Sequence, residues 1–304
     1  MEGLQLGRYP AAKQVMAHVS DTHLLAGGAP LGGVADTVSA LHRAVAQLER
    51  LGQRLDAIVV TGDITDLGEL DAYRLVREAF EPLVVATGAE LVWVMGNHDE
   101  RETFRAGLLD ETVPGDGPVH RAVDVGGLRI VVLDTSVPGY HHGELDASSL
   151  AWLDAVLAEP APDGTVIAMH HAPIATPLAL MDVLELRGQE AFAEVVRGRG
   201  VRLILGGHLH YATNGRFAGI PVSVAGALAY TMDLSASPRE LVGIDGGRSF
   251  TLVHLYDDDI VTSVVPLGPF PVVTSFGEQF LAEVEALTPD ERLDRFSRKR
   301  PPLT

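Results

Sequence analysis

The first hundred residues alternate short apolar runs with stretches of helical period, an order that few architectures accept. Residues 14–20 (QVMAHVS), 55–61 (LDAIVVT) and 91–95 (LVWVM) read as buried strands. Between the first two, residues 35–51 carry Val38, Leu41, Val45 and Leu48 at helical spacing and then meet Gly52, a natural helix stop. Residues 69–86 are again helical, with an interruption expected near Pro82. The β-α-β-α-β order predicts a largely parallel, buried sheet with helices covering it.

Beyond residue 100 the pattern changes. Residues 119–125 and 128–133 flank Gly126-Gly127 and read as a hairpin. A helix is expected over 147–157 and another over 188–196, with apolar strands at 165–169 and 201–205. The last third is rich in strand signals, at 220–224, 241–244, 251–256 and 260–265, with a further hairpin turn expected at Gly246-Gly247. Strands segregated in this way suggest a second sheet packed on the first, with helices outside both. The expected domain spans residues 1–275. Residues 276–304 read as a helical extension that ends in a basic, proline-rich, mobile tail.

Five polar clusters follow these strands, each just past an apolar run. They are Asp21-Thr22-His23, Gly62-Asp63, Gly96-Asn97-His98-Asp99, His170-His171 and Gly207-His208-Leu209-His210. In open α/β sheets the carboxyl ends of the strands line the ligand crevice, so clusters far apart in sequence can converge on one rim. Asp-x-His and His-x-His put two ligands on one side of an extended segment. An Asp at a tight Gly-Asp turn suits a bridge between two ions roughly 3.5–4 Å apart.

Composition narrows the chemistry. The chain has no cysteine, which excludes disulfides, thiolate metal sites and cysteine nucleophiles. A metal site must therefore use imidazole, carboxylate or amide oxygen, donors suited to Fe, Mn, Zn or Co. The formal charge of −18 argues against a duplex nucleic-acid partner. It leaves room for a small anionic substrate, because bound cations reverse the local field. No apolar stretch approaches the roughly 20 residues that span a bilayer, and the N-terminus lacks the pattern of a signal peptide. A soluble cytoplasmic protein is expected.

Together DTH, GDITD, GNHD, HHAP and GHLH resemble the motifs of the calcineurin-like metallophosphoesterases. The likeness covers residues 21–210 and is nearest to the bacterial class III cyclic-nucleotide phosphodiesterases, above all over residues 206–230. The resemblance implies a four-layer αββα sandwich of two mixed sheets flanked by helices. It implies a first metal on Asp21, His23, Asp63 and His210, and a second on Asp63, Asn97, His170 and His208, with Asp63 bridging. The ions would be Fe and Mn, with Zn, Co or Mg as alternatives. His98 would be catalytic, facing the scissile phosphate, and His23, Asn97, His98 and His210 would line the substrate. The implied reaction is hydrolysis of a 3′,5′-cyclic nucleotide, cAMP to 5′-AMP, by in-line attack of a metal-bridging hydroxide, in a homodimer. Two substrate classes compete with it, 2′,3′-cyclic nucleotides and glycerophosphodiesters. A non-catalytic scaffold on the same fold is the alternative of another class. Position 66 is Asp, so no iron–tyrosinate of the purple acid phosphatase kind is expected, and Ala172 stands where relatives often carry proline.

Weaker signals have plain structural readings. His171 is expected to pack or to orient its neighbour, Asp66 to brace its turn, and Asp99 to support the loop or a ligand histidine. Tyr140-His141-His142 and Asn214 lie in turn-rich segments and are expected to be exposed, although either could reach a substrate. Residues 257–259 read as a solvated acidic turn.

Overall fold

A computed structural model describes residues 5–111, 115–237 and 239–299. In chain order its elements are β1 (Gln14–Val19), α1 (Thr37–Glu49), β2 (Ala57–Thr61), α2 (Leu70–Thr87), β3 (Glu90–Val94), α3 (Arg101–Leu108), β4 (Arg121–Val125) and β5 (Leu128–Leu133). They continue with β6 (Gly143–Glu144), α4 (Ala147–Leu157), β7 (Thr165–Met169), β8 (Leu186–Arg187), α5 (Gln189–Val196), β9 (Val201–Gly206), β10 (Thr213–Phe217) and β11 (Ile220–Val224). The last are β12 (Thr231–Met232), β13 (Gly243–Ile244), β14 (Ser249–Leu255), β15 (Ile260–Pro266), α6 (Glu278–Glu285) and α7 (Pro289–Arg292).

Two mixed sheets carry the fold. One runs β15-β14-β1-β2-β3 and the other β10-β11-β9-β7-β5-β4. Alternation along each strand shows how they stack. On β7, Val166 and Ala168 face the first sheet and join Met16, Val59 and Val253 in one apolar layer. Ile167 and Met169 face the other way and pack with Leu153 and Leu157 of α4 and Phe192 and Val196 of α5. The outer face of the first sheet meets α2, where Phe80 sets its ring edge-on to Trp93 of β3 at 5.9 Å. The result is the expected order of helix, sheet, sheet, helix. Strands covered on both faces need apolar residues at nearly every position, which is why they read as unbroken runs.

Several sequence expectations need correction. The last two long strands do not extend the second sheet. β14 returns to the first sheet and pairs antiparallel with β1, Met16 opposite Val253, and β15 completes the edge. Of residues 241–244 only Gly243 and Ile244 pair, with Met232 and Thr231, so Gly246-Gly247 is not a turn between neighbouring strands. α2 runs unbroken through Pro82. Pro82 is exposed, so the carbonyl its missing N–H leaves unpaired lies on the water side. α1 ends at Glu49, short of Gly52. α3 and the edge strand β10 carry too few apolar residues to have been anticipated. By contrast, Gly126-Gly127 turns the β4–β5 hairpin as expected, both glycines at positive φ.

Gln14–Gly268 forms one compact unit, and the two ends of the chain form another. Within the latter, α7 opens on a capping box, Thr288 with Glu291, and Phe280 packs between Phe276 and Phe296. The final residues of the basic stretch, 300–304, lie outside the described residues. Among the described residues no helix is long and apolar enough to cross a membrane.

Candidate metal centre

The clusters meet at the carboxyl ends of β1, β2, β3, β7 and β9. β1 lies parallel to β2 and β2 parallel to β3, so Asp21, Asp63 and Asn97 leave one sheet side by side. β7 and β9, parallel in the other sheet, deliver His170 and His208. Tight backbone then turns the side chains inward. Asp21, His23, Asp63, His208 and His210 all adopt left-handed backbone, φ between 41° and 70°. Such conformations cost of order 1–3 kcal/mol each and persist only where the surroundings hold them. Here main-chain bonds do so: Asp21 N donates to Gly62 O (3.1 Å), His23 N to Asp63 O (2.9 Å) and Gly207 N to His170 O (2.9 Å). Two glycines are required by contact. A Cβ on Gly62 would lie 2.6 Å from His170 Nδ1, and one on Gly96 would collide with the Asp63 carboxylate.

The inward atoms form two groups that share one carboxylate. In the first, His23 Nε2 lies 3.0 Å from His210 Nε2 and 3.5 Å from Asp63 Oδ2, while His210 Nε2 lies 3.4 Å from Asp21 Oδ1. In the second, His170 Nε2 lies 3.3 Å from the same Asp63 Oδ2 and 3.2 Å from Asn97 Oδ1. His208 joins it through a ring centroid 5.1 Å from that of His170. Asp21, His23, Asp63, His170, His208 and His210 are buried, and Asn97 is partly exposed.

Each of these histidines spends its other nitrogen on an acceptor. His23 Nδ1 donates to Asp66 Oδ1 (3.0 Å), His170 Nδ1 to the Thr61 carbonyl (2.7 Å), His210 Nδ1 to the Tyr230 carbonyl (3.1 Å) and His208 Nε2 to the Leu184 carbonyl (3.1 Å). The inward nitrogen of a neutral ring is then a bare lone pair. Lone pairs from imidazole, carboxylate and amide oxygen crowd within 3.0–3.5 Å of one another. They repel unless a proton or a cation sits among them. These residues therefore fit divalent or trivalent ions.

The charges agree with that reading. Burial raises the Asp63 carboxyl, but His170 and His23 outweigh it and hold the group well below the usual carboxylate range. Asp21, buried as deeply, is brought down to about 2 by His210. Burial lowers His170, yet the Asp63 carboxylate beside it outweighs burial and lifts it to about 9. At His208 burial and the neighbouring His170 outweigh Asp63 and Asp21 and bring the ring down to about 3.

Other predicted residues take definite places. His98 is partly exposed, its ring 4.8 Å from that of His23, with Nδ1 2.9 Å from the Asp66 carbonyl. Its main-chain N–H donates to Asp63 Oδ1 (2.9 Å). His171 lies beside His170 and His208, but both its nitrogens are engaged, by Thr135 Oγ1 (2.8 Å) and the His141 carbonyl (3.2 Å). A nitrogen of its ring lies within 4.8 Å of one on His170 and one on His208, but with both nitrogens so engaged it stands beside the candidate ligands as a support. Asp99 ties two site loops together by accepting from Ile64 N, Thr65 N, Gly96 N and Tyr73 OH. Asp66 does more than brace a turn, since it orients His23. Asn214 sits on edge strand β10 and accepts from Thr262 Oγ1 at 3.4 Å. Tyr230, not anticipated, supplies the His210 acceptor and sets its ring 4.2 Å from that imidazole. A cleft of about 320 Å³ opens beside Asn97, lined by Glu100, Arg101, Ser136 and Pro138 among others.

Residues 15–212 match the calcineurin-like phosphoesterase family, a span that contains every cluster. The chain belongs to that family. The motif-based expectation of a phosphoesterase is therefore met, and so is the expected fold. The chain is 50% identical over 276 residues to a cAMP/cGMP dual specificity phosphodiesterase of Mycobacterium tuberculosis (strain CDC 1551 / Oshkosh), covering 91% of this chain and 86% of that one. It is 32% identical over 204 residues to a glycerophosphodiester phosphodiesterase, GpdQ, of Enterobacter lignolyticus (strain SCF1), covering 66% and 72%. Among solved structures, GAP50, the anchor in the inner membrane complex of Plasmodium, shares the fold. Its TM-score is 0.51 at 13% identity, over 86% of this chain and 87% of that one.

Proposed function

We propose that this phosphoesterase hydrolyses 3′,5′-cyclic nucleotides, cAMP among them, to the 5′-monophosphates, using two metal ions that share Asp63. The first ion would be held by Asp21, His23, Asp63 and His210, the second by Asp63, Asn97, His170 and His208. One observation carries the bridge: a single oxygen, Asp63 Oδ2, lies 3.5 Å from His23 Nε2 and 3.3 Å from His170 Nε2. Two cations held there would supply charge neutralisation at the phosphate and a water acidic enough to serve as nucleophile near neutral pH.

The chain's own residues do the rest. Asp66 and the Thr61, Tyr230 and Leu184 carbonyls fix four imidazoles, so the ligand set is assembled before substrate arrives. His98 has Nδ1 beside the Asp66 carbonyl, which leaves Nε2 to protonate or stabilise the departing ribose oxygen. His23, Asn97, His98 and His210 would border the phosphate, and the cleft beside Asn97 has room for the nucleoside. The relative that matches at 50% identity supports the cyclic-nucleotide class over the glycerophosphodiester class, whose relative matches at 32%. The same reading takes Fe and Mn as the ions, with Zn, Co or Mg as substitutes, a homodimer as the assembly and the cytoplasm as the compartment. A monomeric mass at micromolar concentration would refute the dimer.

Turnover of chelated enzyme restored with defined metals, on cyclic and linear phosphodiesters, tests the reading. Metal-dependent release of 5′-AMP from cAMP is expected. Activity confined to glycerophosphodiesters or 2′,3′-cyclic nucleotides would move the substrate assignment, and activity that survives chelation would end the metal mechanism.

A further inference from the structure

We infer that His141 is a positioning residue that decides which end of the Asn97 amide faces the second cation. The inference rests on the two-metal reading. A primary amide has two ends of nearly the same shape, and only its oxygen can bind a cation. Asn97 Oδ1 lies 3.2 Å from His170 Nε2, on the side of the bridging carboxylate. The other end, Nδ2, lies 2.9 Å from His141 Nδ1. A ring nitrogen that accepts from Nδ2 carries no proton, so His141 keeps its proton on Nε2. In that state it welcomes the amide nitrogen and leaves the oxygen pointing inward.

His141 is itself exposed, and its hold on Asn97 needs an anchor. His171 supplies it. This imidazole is buried and accepts from Thr135 Oγ1 through Nδ1 (2.8 Å). Its Nε2 donates to the main-chain carbonyl of His141 (3.2 Å), which fixes the loop at the residue that matters. Two residues on, a Cβ on Gly143 would lie 2.5 Å from His171 Cγ, so the loop packs directly on the ring. The Gly143 N–H donates to the Glu185 carbonyl at 3.2 Å and closes the far side. A histidine that sits among metal ligands but spends both nitrogens elsewhere thus has a use. It holds the loop, and the loop holds the amide.

Removing the His141 ring frees the Asn97 amide to turn its nitrogen inward. Loss of a group that orients a ligand typically weakens metal affinity by ~10–100-fold. Equilibrium dialysis of the full chain, chelated and titrated with Mn²⁺ alone, reads this directly. Wild type should bind two ions. His141→Ala should bind the first as tightly as wild type and the second ~10–100-fold more weakly. His141→Asn, whose Oδ1 can accept from Nδ2 where Nδ1 did, should recover most of the loss. Two tight ions in His141→Ala would overturn the inference and leave the two-metal reading intact. Equal weakening of both ions, with His141→Asn no better than His141→Ala, would reduce His141 to a generic loop residue and also overturn it. Fewer than two ions in wild type would instead refute the two-metal reading itself.

Discussion

The two halves of the candidate centre are built differently. In the first, Asp21, His23, Asp63 and His210 are buried, and all four hold left-handed backbone tied down by main-chain bonds. Its outer support comes from a carboxylate, Asp66, and a carbonyl, Tyr230 O. In the second, His170 and His208 are equally buried, but Asn97 is partly exposed and its amide leans on an exposed loop histidine. A neutral amide also offers a cation less charge than the carboxylate of Asp21 does. One half is buried throughout, and the other has one partly exposed member, Asn97. The first ion should therefore be retained and the second exchanged more readily.

The comparison breaks first at its shared member. Asp63→Ala should release both ions and cost at least about 10³-fold in turnover, given the several kcal/mol of charge stabilisation that metals supply. Metal analysis beside kcat checks it, and two retained ions would remove Asp63 as the bridge. His98→Ala tests the chemistry without removing a candidate ligand. Turnover should fall by ~10²–10⁴-fold while metal content stays at the wild-type level. Unchanged kcat in that variant would take His98 out of the reaction. Asp66→Ala sharpens the difference between halves, since it removes the acceptor of His23 (3.0 Å) and disturbs a ligand histidine of the first half only, the other imidazole beside that carboxylate being His98 (3.5 Å). Affinity for the tighter ion should drop by ~10–100-fold, with the weaker ion little affected. A selective loss of the weaker ion would reverse the assignment.

A smaller effect should appear in the chelated chain as pH changes. Burial puts His18 and His208 at about 3, and burial with His208 nearby puts His171 well below its ordinary value. The unfolded chain takes up these protons near pH 6.5. Below that pH the unfolded state binds more protons, so stability falls with falling pH, by up to about 1.4 kcal/mol per pH unit for each histidine. His170 has the opposite sign, because Asp63 outweighs its burial and lifts it to about 9. Its contribution is complete below about 6.5 and fades as pH rises through 9. Asp21 and Asp63 keep theirs above the ordinary carboxylate range and lose it only in strong acid. Thermal unfolding of chelated protein should show Tm falling from pH 6.5 to pH 4. A flat or rising Tm would contradict the neutral, buried state of the three histidines.

The sequence revealed what burial and side-chain chemistry write into it. Strands covered on both faces, such as β2 and β7, announce themselves as apolar runs, and the candidate ligands stand just after them. Edge elements write less. β10 (TNGRF) is a polar strand at the rim of its sheet, and α3 buries only Phe104, Gly107 and Leu108. The return of β14 to lie beside β1 depends on contacts more than 230 residues apart, Met16 with Val253, which no local pattern encodes. At the site, the ligand types were legible but their supports were not. Three of the four acceptors behind the histidines are main-chain carbonyls, of Thr61, Tyr230 and Leu184, and a carbonyl leaves no mark on residue type. The fourth, Asp66, stands in GDITD, where a turn-bracing role and a histidine-orienting role look the same until His23 is placed beside it.

Anomalous diffraction from crystals of Mn²⁺-reconstituted enzyme bears most directly on the shared carboxylate. Two peaks should appear on either side of Asp63, one against His23 and His210 and one against His170 and His208, with the latter weaker after brief chelation. A single peak, or density away from Asp63, would show that these loops converge for some purpose other than holding a pair of ions.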